Sequence, residues 1–210
     1  GERLGQVLRN MEKRGVNEIA CLGDIAGFDV LHYRYLSARD ASYCLDQVRA
    51  NCRWVVAGNH DLFAIRKLPD VNGCFPFPRN WYQLDFPERE KLGRQQVWLF
   101  EPQELPALLT ARDREYLDSL PLFLAVDLDG LRVLFSHAQF PDLSGSLAWR
   151  PKNHWDFQGH FRLLREQGCR LGVSGHLHPD GIGIAHERRF DFLRFRTYRI
   201  FPDLVQYICP

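Results

Sequence analysis

The sequence predicts an α/β fold with mixed sheets, and three observations lead to that prediction. An apolar run at 18–22, a helical segment at 38–51 and a second apolar run at 54–57 follow one another as strand, helix and strand. That order is typical of parallel strands. Further on, Asp129-Gly130 separates two more apolar runs, which predicts a hairpin and therefore antiparallel pairing. A length of 210 residues with 45% hydrophobic residues suits one domain, spanning 1–210.

The predicted elements can be justified in chain order. A first helix begins near Gly1, carries apolar residues at helical spacing and ends at Gly15. Residues 23–36 form a loop, and Ser37 is a candidate cap for the helix that follows. Thr110, with an aspartate three residues later, resembles a capping box for a short helix through 120. The remaining predicted elements are strands at 122–127, 131–135, 171–174, 190–198 and 204–208, and a helix at 154–167.

The segment at about 62–110 interrupts this alternation, because it is rich in proline, arginine and aromatic residues. Long irregular segments inside a compact domain are either functional lids or surface excursions. Both interpretations stay open at this point, since the aromatic side chains could simply pack on the body of the domain.

Composition limits the partners and the compartment. With 27 basic and 26 acidic residues the net charge is +1, which argues against a broad surface for nucleic acid or anionic membranes. No apolar stretch reaches the ~18 residues of a membrane helix, and no signal peptide is visible. The six cysteines are scattered without a Cys-x-x-Cys pair, which indicates reduced thiols. We therefore expect a cytoplasmic protein.

Four apolar runs end in residues that can bind a metal ion. These residues are Asp24, Asn59, His137 and the pair His176 and His178. Because open sheets bind ligands at the carboxyl ends of their strands, we expect the side chains to meet at one edge. Each also has a structural interpretation: Asp24 and Asn59 could hold turns, and His137 could be a buried core histidine. The histidine pair is the hardest to explain in that way.

The ordered set of motifs resembles the calcineurin-like metallophosphoesterase superfamily. It comprises Gly23-Asp24, Gly58-Asn59-His60-Asp61, His137 after a strand, and Gly175-His176-Leu177-His178. The resemblance covers nearly the whole chain. It implies a four-layer αββα sandwich with the metal site at one end of the sheets.

The resemblance also implies residue roles. Asp24 would bridge two divalent metal ions, which could be manganese, iron or zinc. Asn59, His137 and His176 would complete one site, and His178 would belong to the other. A phosphomonoester or phosphodiester substrate would be attacked by a hydroxide shared between the ions. His60 would be the general acid and Asp61 would hold its ring; a purely structural role for His60 is the alternative.

The chain departs from the family pattern at its start. An Asp-x-His motif and its strand, which precede the first helix in relatives, are absent, and we expect that the sequence as given lacks its natural N-terminus. Two other functions stay open. A dinucleoside polyphosphate hydrolase could stack a base on aromatic residues at 75–86, and a non-catalytic interaction scaffold could carry a degraded metal site. His32, in the loop after Asp24, could reach substrate, whereas the arginines at 188–199 suit a solvated sheet face.

Overall fold

A computed structural model describes residues 1–31, 36–194, 199–201 and 204–209. The helices are α1 (Glu2–Lys13), α2 (Ala41–Asn51), α3 (Asn59–Ile65), α4 (Phe86–Gly93), α5 (Ala111–Ser119) and α6 (Gln158–Glu166). The strands are β1 (Ala20–Cys21), β2 (Trp54–Val55), β3 (Phe123–Leu128), β4 (Leu131–Ser136), β5 (Leu171–Val173), β6 (Ile182–His186), β7 (Arg189–Leu193) and β8 (Gln206–Cys209). Short 3-10 helices occur at Leu36–Ala38, Trp81–Gln83 and His154–Phe157.

The strands form two sheets, and both kinds of pairing occur. Strands β1 and β2 pair in parallel on either side of α2. The second sheet has the order β3-β4-β5-β8-β6-β7. Its central strands β4, β5 and β8 are parallel, whereas β3, β6 and β7 pair antiparallel with their neighbours. The prediction of an α/β fold with mixed sheets is confirmed.

The side chains of β4 show how the layers stack. Because successive side chains of a strand point to opposite faces, Val133 and Phe135 pack with Val56, the residue directly after β2, and Leu134 packs on the other side with Phe161 of α6. On the far side of the first sheet, residues of α2, α3 and α5 share a further apolar cluster. Helix, sheet, sheet and helix therefore form the expected αββα sandwich.

Local signals explain several element boundaries. Thr110 and Asp113 form the predicted capping box at the start of α5. Asp129 and Gly130 have φ values of 48° and 86°, which suits the tight turn of the β3–β4 hairpin. The prediction of Ser37 as the cap of α2 is wrong. That residue lies inside a 3-10 helix, and the Asp40 side chain accepts the amide hydrogen of Tyr43 instead.

The aromatic segment at 62–110 packs on the body of the domain. Phe75 and Trp81 are buried with edge-to-face rings whose centroids lie 5.8 Å apart, and their cluster includes Leu147 from outside the segment. Helix α4 was not predicted. It begins with a capping box between Asp85 and Glu88, a signal hidden by the surrounding prolines and aromatic residues.

Parts of the sequence-based prediction lie outside the described residues. These parts are His32 and residues 195–198 of the predicted strand at 190–198. Among the helices that are described, none is long and apolar enough to cross a membrane.

Candidate metal centre and active site

Asp24 is placed by a close contact between two loops. It follows β1 with a φ of 56°, and its Oδ1 accepts the amide hydrogen of His60 at 3.0 Å. A β-carbon at Gly58 would lie only 2.2 Å from that Oδ1 atom. Glycine in front of Asn59 therefore allows the Asp24 loop and the start of α3 to touch.

The His137 ring stands at the centre of the site. Its Nδ1 lies 2.6 Å from the carbonyl oxygen of Leu22, and a carbonyl only accepts, so Nδ1 carries the proton. In the neutral ring, Nε2 then presents a lone pair. Around Nε2 lie Asn59 Oδ1 at 3.0 Å, Asp24 Oδ2 at 3.1 Å and His176 Nδ1 at 3.2 Å.

This arrangement fits a metal ion. Potential ligand atoms of Asp24, His137 and His176 all lie within 4.8 Å of one another, and the Asn59 amide oxygen is beside them. With His137 in its neutral form, a single cation would satisfy the lone pairs that converge at Nε2. Imidazole, carboxylate and amide oxygen together suit manganese, iron or zinc. The structure thus brings together four of the predicted ligands.

Electrostatics at the same point favour positive charge. Burial alone would raise the pKa of Asp24, but the charge and hydrogen bond of His137 lower it below its ordinary value. Burial opposes protonation of His137, yet Asp24 raises the pKa of its ring. For His176, burial and the charge of His137 lower the pKa to about 3, so this ring is neutral and its nitrogen is free to bind a metal at neutral pH.

His178 is placed differently from the other predicted ligands. It is exposed and has a φ of 45°. It lies in a turn, in which its own backbone amide donates to the carbonyl oxygen of Gly175. The cluster of potential ligands found in the described part of the chain does not include it.

A loop built around Asp142 passes close to His176, since a β-carbon at Gly145 would lie 2.6 Å from Nδ1 of that ring. Asp142 is buried, and its carboxylate accepts hydrogen bonds from the backbone amides of Ser144, Gly145 and Leu147. The Ser144 hydroxyl donates to it as well, at 2.6 Å. Sequence reasoning missed this residue, although Pro141-Asp142, with serine and glycine at 144 and 145, is a turn signal.

His60 faces the metal centre from the start of α3. Its Nε2 lies 4.0 Å from Asp24 Oδ2, and its Nδ1 contacts Glu104 Oε2. The Phe100 ring packs on the imidazole with centroids 4.6 Å apart. Burial opposes protonation, but the hydrogen bond to Glu104 and the charge of Asp24 raise the pKa of His60 to about 9.

Asp61 occupies a different place from the one predicted. Its carboxylate accepts the amide hydrogens of Ile25 at 2.9 Å, Ala26 at 2.8 Å and Gly58 at 3.0 Å. It therefore ties the Asp24 loop to the start of α3, and Glu104 makes the contact with the His60 ring. Burial and the charge of Asp24 raise the pKa of Asp61 to about 6, although amide hydrogen bonds oppose this.

Comparison with known proteins agrees with the fold. The chain is 28% identical over 144 residues to the uncharacterized protein MJ0912 of Methanocaldococcus jannaschii, covering 65% of this chain and 44% of that protein. A metallophosphoesterase from Sphaerobacter thermophilus has a similar fold, with a TM-score of 0.50 and 19% identity, covering 93% of this chain and 65% of that one. The chain thus spans less than two thirds of the length of either. Residues 2–180 match the calcineurin-like phosphoesterase family, and the chain belongs to that family.

Proposed function

We propose that this chain hydrolyses a phosphomonoester or phosphodiester with the help of divalent metal ions. Membership of the family suggests metal-dependent hydrolysis of phosphate esters. The observation that carries the proposal is the convergence of Asn59 Oδ1, Asp24 Oδ2 and His176 Nδ1 on Nε2 of His137. Acceptor atoms that converge in this way are suited to bind a cation.

The residues take distinct roles in this proposal. Asp24, Asn59, His137 and His176 hold one ion, and Asp24 with His178 contributes to a second. When bound, such ions supply an activated water and neutralise charge on the phosphoryl oxygens. Asp61 keeps the Asp24 loop against α3 through its amide hydrogen bonds.

His60 is the proposed general acid. Its Nε2 lies at the edge of the cluster, 4.0 Å from Asp24 Oδ2, within reach of a leaving oxygen bound beside the metal site. Proton donation from Nε2 to that oxygen would prevent the build-up of charge as the ester bond breaks. The ring is partly open to solvent, so a substrate can approach it.

The two alternative functions receive different support. For a dinucleoside polyphosphate hydrolase, Phe75 and Trp81 offer no face to a base, because both rings are buried against each other. Stacking could then use only the partly buried rings of the same range, those of Phe77, Tyr82 and Phe86. An interaction scaffold would have no use for a His60 ring held at the edge of the metal site. Activity measurements separate this second alternative from the proposal.

The test is metal content together with hydrolysis of p-nitrophenyl phosphate and bis(p-nitrophenyl) phosphate in the presence of manganese, iron or zinc. We expect bound metal and metal-dependent turnover, both lost in Asp24→Asn and His137→Asn. The variant His154→Asn is the control, since His154 lies outside the ligand cluster and should retain both properties. A chain that hydrolyses neither ester, whether it holds one ion or none, would support the scaffold with a degraded metal site.

A further inference from the structure

We propose that Glu104 is a positioning residue for His60: it holds the imidazole with Nδ1–H toward its carboxylate and Nε2 toward the metal centre. This inference rests on the proposed function and assigns to the aromatic segment a part in it. The family motif places an acidic residue directly after His60, yet the structure brings a carboxylate from 44 positions further along the chain.

The contact is enclosed. The Glu104 side chain is 1% exposed, whereas the His60 side chain is 27% exposed and keeps an accessible face. Burying a carboxylate costs free energy unless a partner compensates for the lost water. The His60 ring supplies that compensation through Nδ1, and Phe100 closes the site by packing on the same ring.

The backbone holds Glu104 against the loop that carries Asp24. Its amide donates to the carbonyl oxygen of Phe100 at 2.8 Å, and the next amide, of Leu105, donates to Phe28 at 3.0 Å. An isolated bridge pairs Glu104 with Asp29. The carboxylate is therefore fixed relative to the metal centre by main-chain contacts.

Gly27 leaves the space in which the pair forms. Its φ is 110°, and a β-carbon there would lie 3.0 Å from both Glu104 Oε1 and His60 Cβ. A side chain at this position would disturb the carboxylate and the imidazole together. Glycine at position 27 therefore permits the contact between Glu104 and His60, and a residue with a side chain would hinder it.

The chemistry follows from the two ring nitrogens. A carboxylate accepts only from a protonated nitrogen, so contact with Glu104 selects the form with hydrogen on Nδ1. The proton given to the leaving oxygen comes from Nε2, and the neutral ring that results keeps its Nδ1–H on Glu104. Glu104 gains and loses no proton in this step; it determines which nitrogen faces the substrate.

The first experiment compares Glu104→Gln and Glu104→Ala with the unsubstituted protein on phosphate esters of graded leaving-group basicity. Esters with poor leaving groups, such as phenyl phosphate, need proton donation, whereas p-nitrophenyl phosphate hardly does. We expect kcat to fall roughly tenfold or more for the poor leaving groups and less than about threefold for p-nitrophenyl phosphate. An equal loss on all esters, or no loss on any, would overturn the proposal.

Two controls make the result specific. Glu101→Gln removes another carboxylate of the same segment, one that pairs with Arg66 and Arg89 and not with His60, and should leave the leaving-group dependence unchanged. In a His60→Gln background, Glu104→Gln should cause no further loss, because residues that act through one another are not additive. Additive losses would show that Glu104 acts independently of His60.

A spectroscopic measurement keeps this inference distinct from the proposed function. If the unsubstituted protein hydrolyses no ester, the function fails, and the imidazole 15N and 1H resonances of His60 still test the contact. We expect a slowly exchanging, downfield Nδ1–H signal that disappears in Glu104→Ala. Its presence in that variant, or its absence in the unsubstituted protein, would refute the positioning role.

Discussion

Gly145 lies directly against the ring of His176. A β-carbon at Gly145 would lie 2.6 Å from Nδ1 and 2.8 Å from Cγ of that ring, and the φ of Gly145 is 77°. Hydrogen bonds to Asp142 hold the backbone of this loop in place. The backbone of the Asp142–Leu147 loop therefore limits where the His176 ring can lie, although this loop contributes none of the proposed metal ligands.

Gly145→Ala should weaken metal binding by displacing His176. We expect a loss of metal affinity of about 10–100-fold, the range seen when the supporting contacts of a ligand are disturbed. Alanine at a positive φ should also lower the free energy of unfolding by roughly 1–2 kcal/mol. Calorimetric titration of the metal-free protein with Mn²⁺ or Zn²⁺ measures the first effect, and urea unfolding the second.

The matched control is Gly73→Ala. Gly73 has a φ of 75°, and a β-carbon there would meet nothing within 4 Å. This variant should show a similar backbone penalty without any change in metal affinity. If Gly73→Ala lost affinity too, or Gly145→Ala kept it, the steric explanation would fail.

Asp61→Asn should weaken the metal site without changing the chemistry of proton donation. The amide group would turn one acceptor into a donor that faces a backbone N–H, and we expect a loss of about 1–3 kcal/mol in stability together with lower metal affinity. Because Glu104 and not Asp61 contacts the His60 ring, the dependence of kcat on the leaving group should stay that of the unsubstituted protein.

Asp113→Asn is the control for Asp61→Asn. Asp113 is also buried, and like Asp61 it occupies the third position of a helix. Burial opposes its ionisation, but hydrogen bonds from Ser42 and Thr110 lower the pKa of Asp113 to about 2. Its variant should lose stability while metal affinity stays constant; a change in affinity would indicate an indirect effect of destabilisation.

The sandwich and most proposed ligands could be predicted because they follow from local signals. An apolar run that ends in glycine and a polar residue predicts both a strand and a candidate ligand at its end, as at Gly23-Asp24 and Gly58-Asn59. The contact of Glu104 with His60 could not be predicted, since it depends on how an irregular segment folds back over α3. Asp61 shows the converse: it adjoins His60 in sequence, but helical geometry directs its carboxylate to the amides beneath the loop.

Binding of a divalent metal should stabilise the folded protein. A ligand present at 100 times its dissociation constant adds about 2.7 kcal/mol to the free energy of unfolding. We expect Mn²⁺ or Zn²⁺ to raise the Tm of the unsubstituted protein. The ions should have little effect on the Tm of Asp24→Asn, because an amide replaces the carboxylate ligand in that variant. Differential scanning calorimetry with and without EDTA measures the shift, and an equal shift in Asp24→Asn would place the metal elsewhere.

His160 should make the fold sensitive to mild acid. The side chain is fully buried, its Nδ1 accepts the amide hydrogen of Phe140, and burial lowers its pKa from 6.5 to about 3. Below pH 6.5 the unfolded chain therefore binds a proton on His160 that the folded chain does not bind. Because protonation favours the unfolded state, the free energy of unfolding falls as the pH falls below that value. Between pH 7.5 and 5.5 this single group should lower the free energy of unfolding by about 1.4 kcal/mol.

The variant His160→Asn keeps an acceptor near the Phe140 amide but cannot take up this proton. Urea unfolding at both pH values should show that its free energy of unfolding falls by about 1.4 kcal/mol less than that of the unsubstituted protein. Equal slopes for the unsubstituted protein and His160→Asn would contradict the assignment of this acid sensitivity to His160.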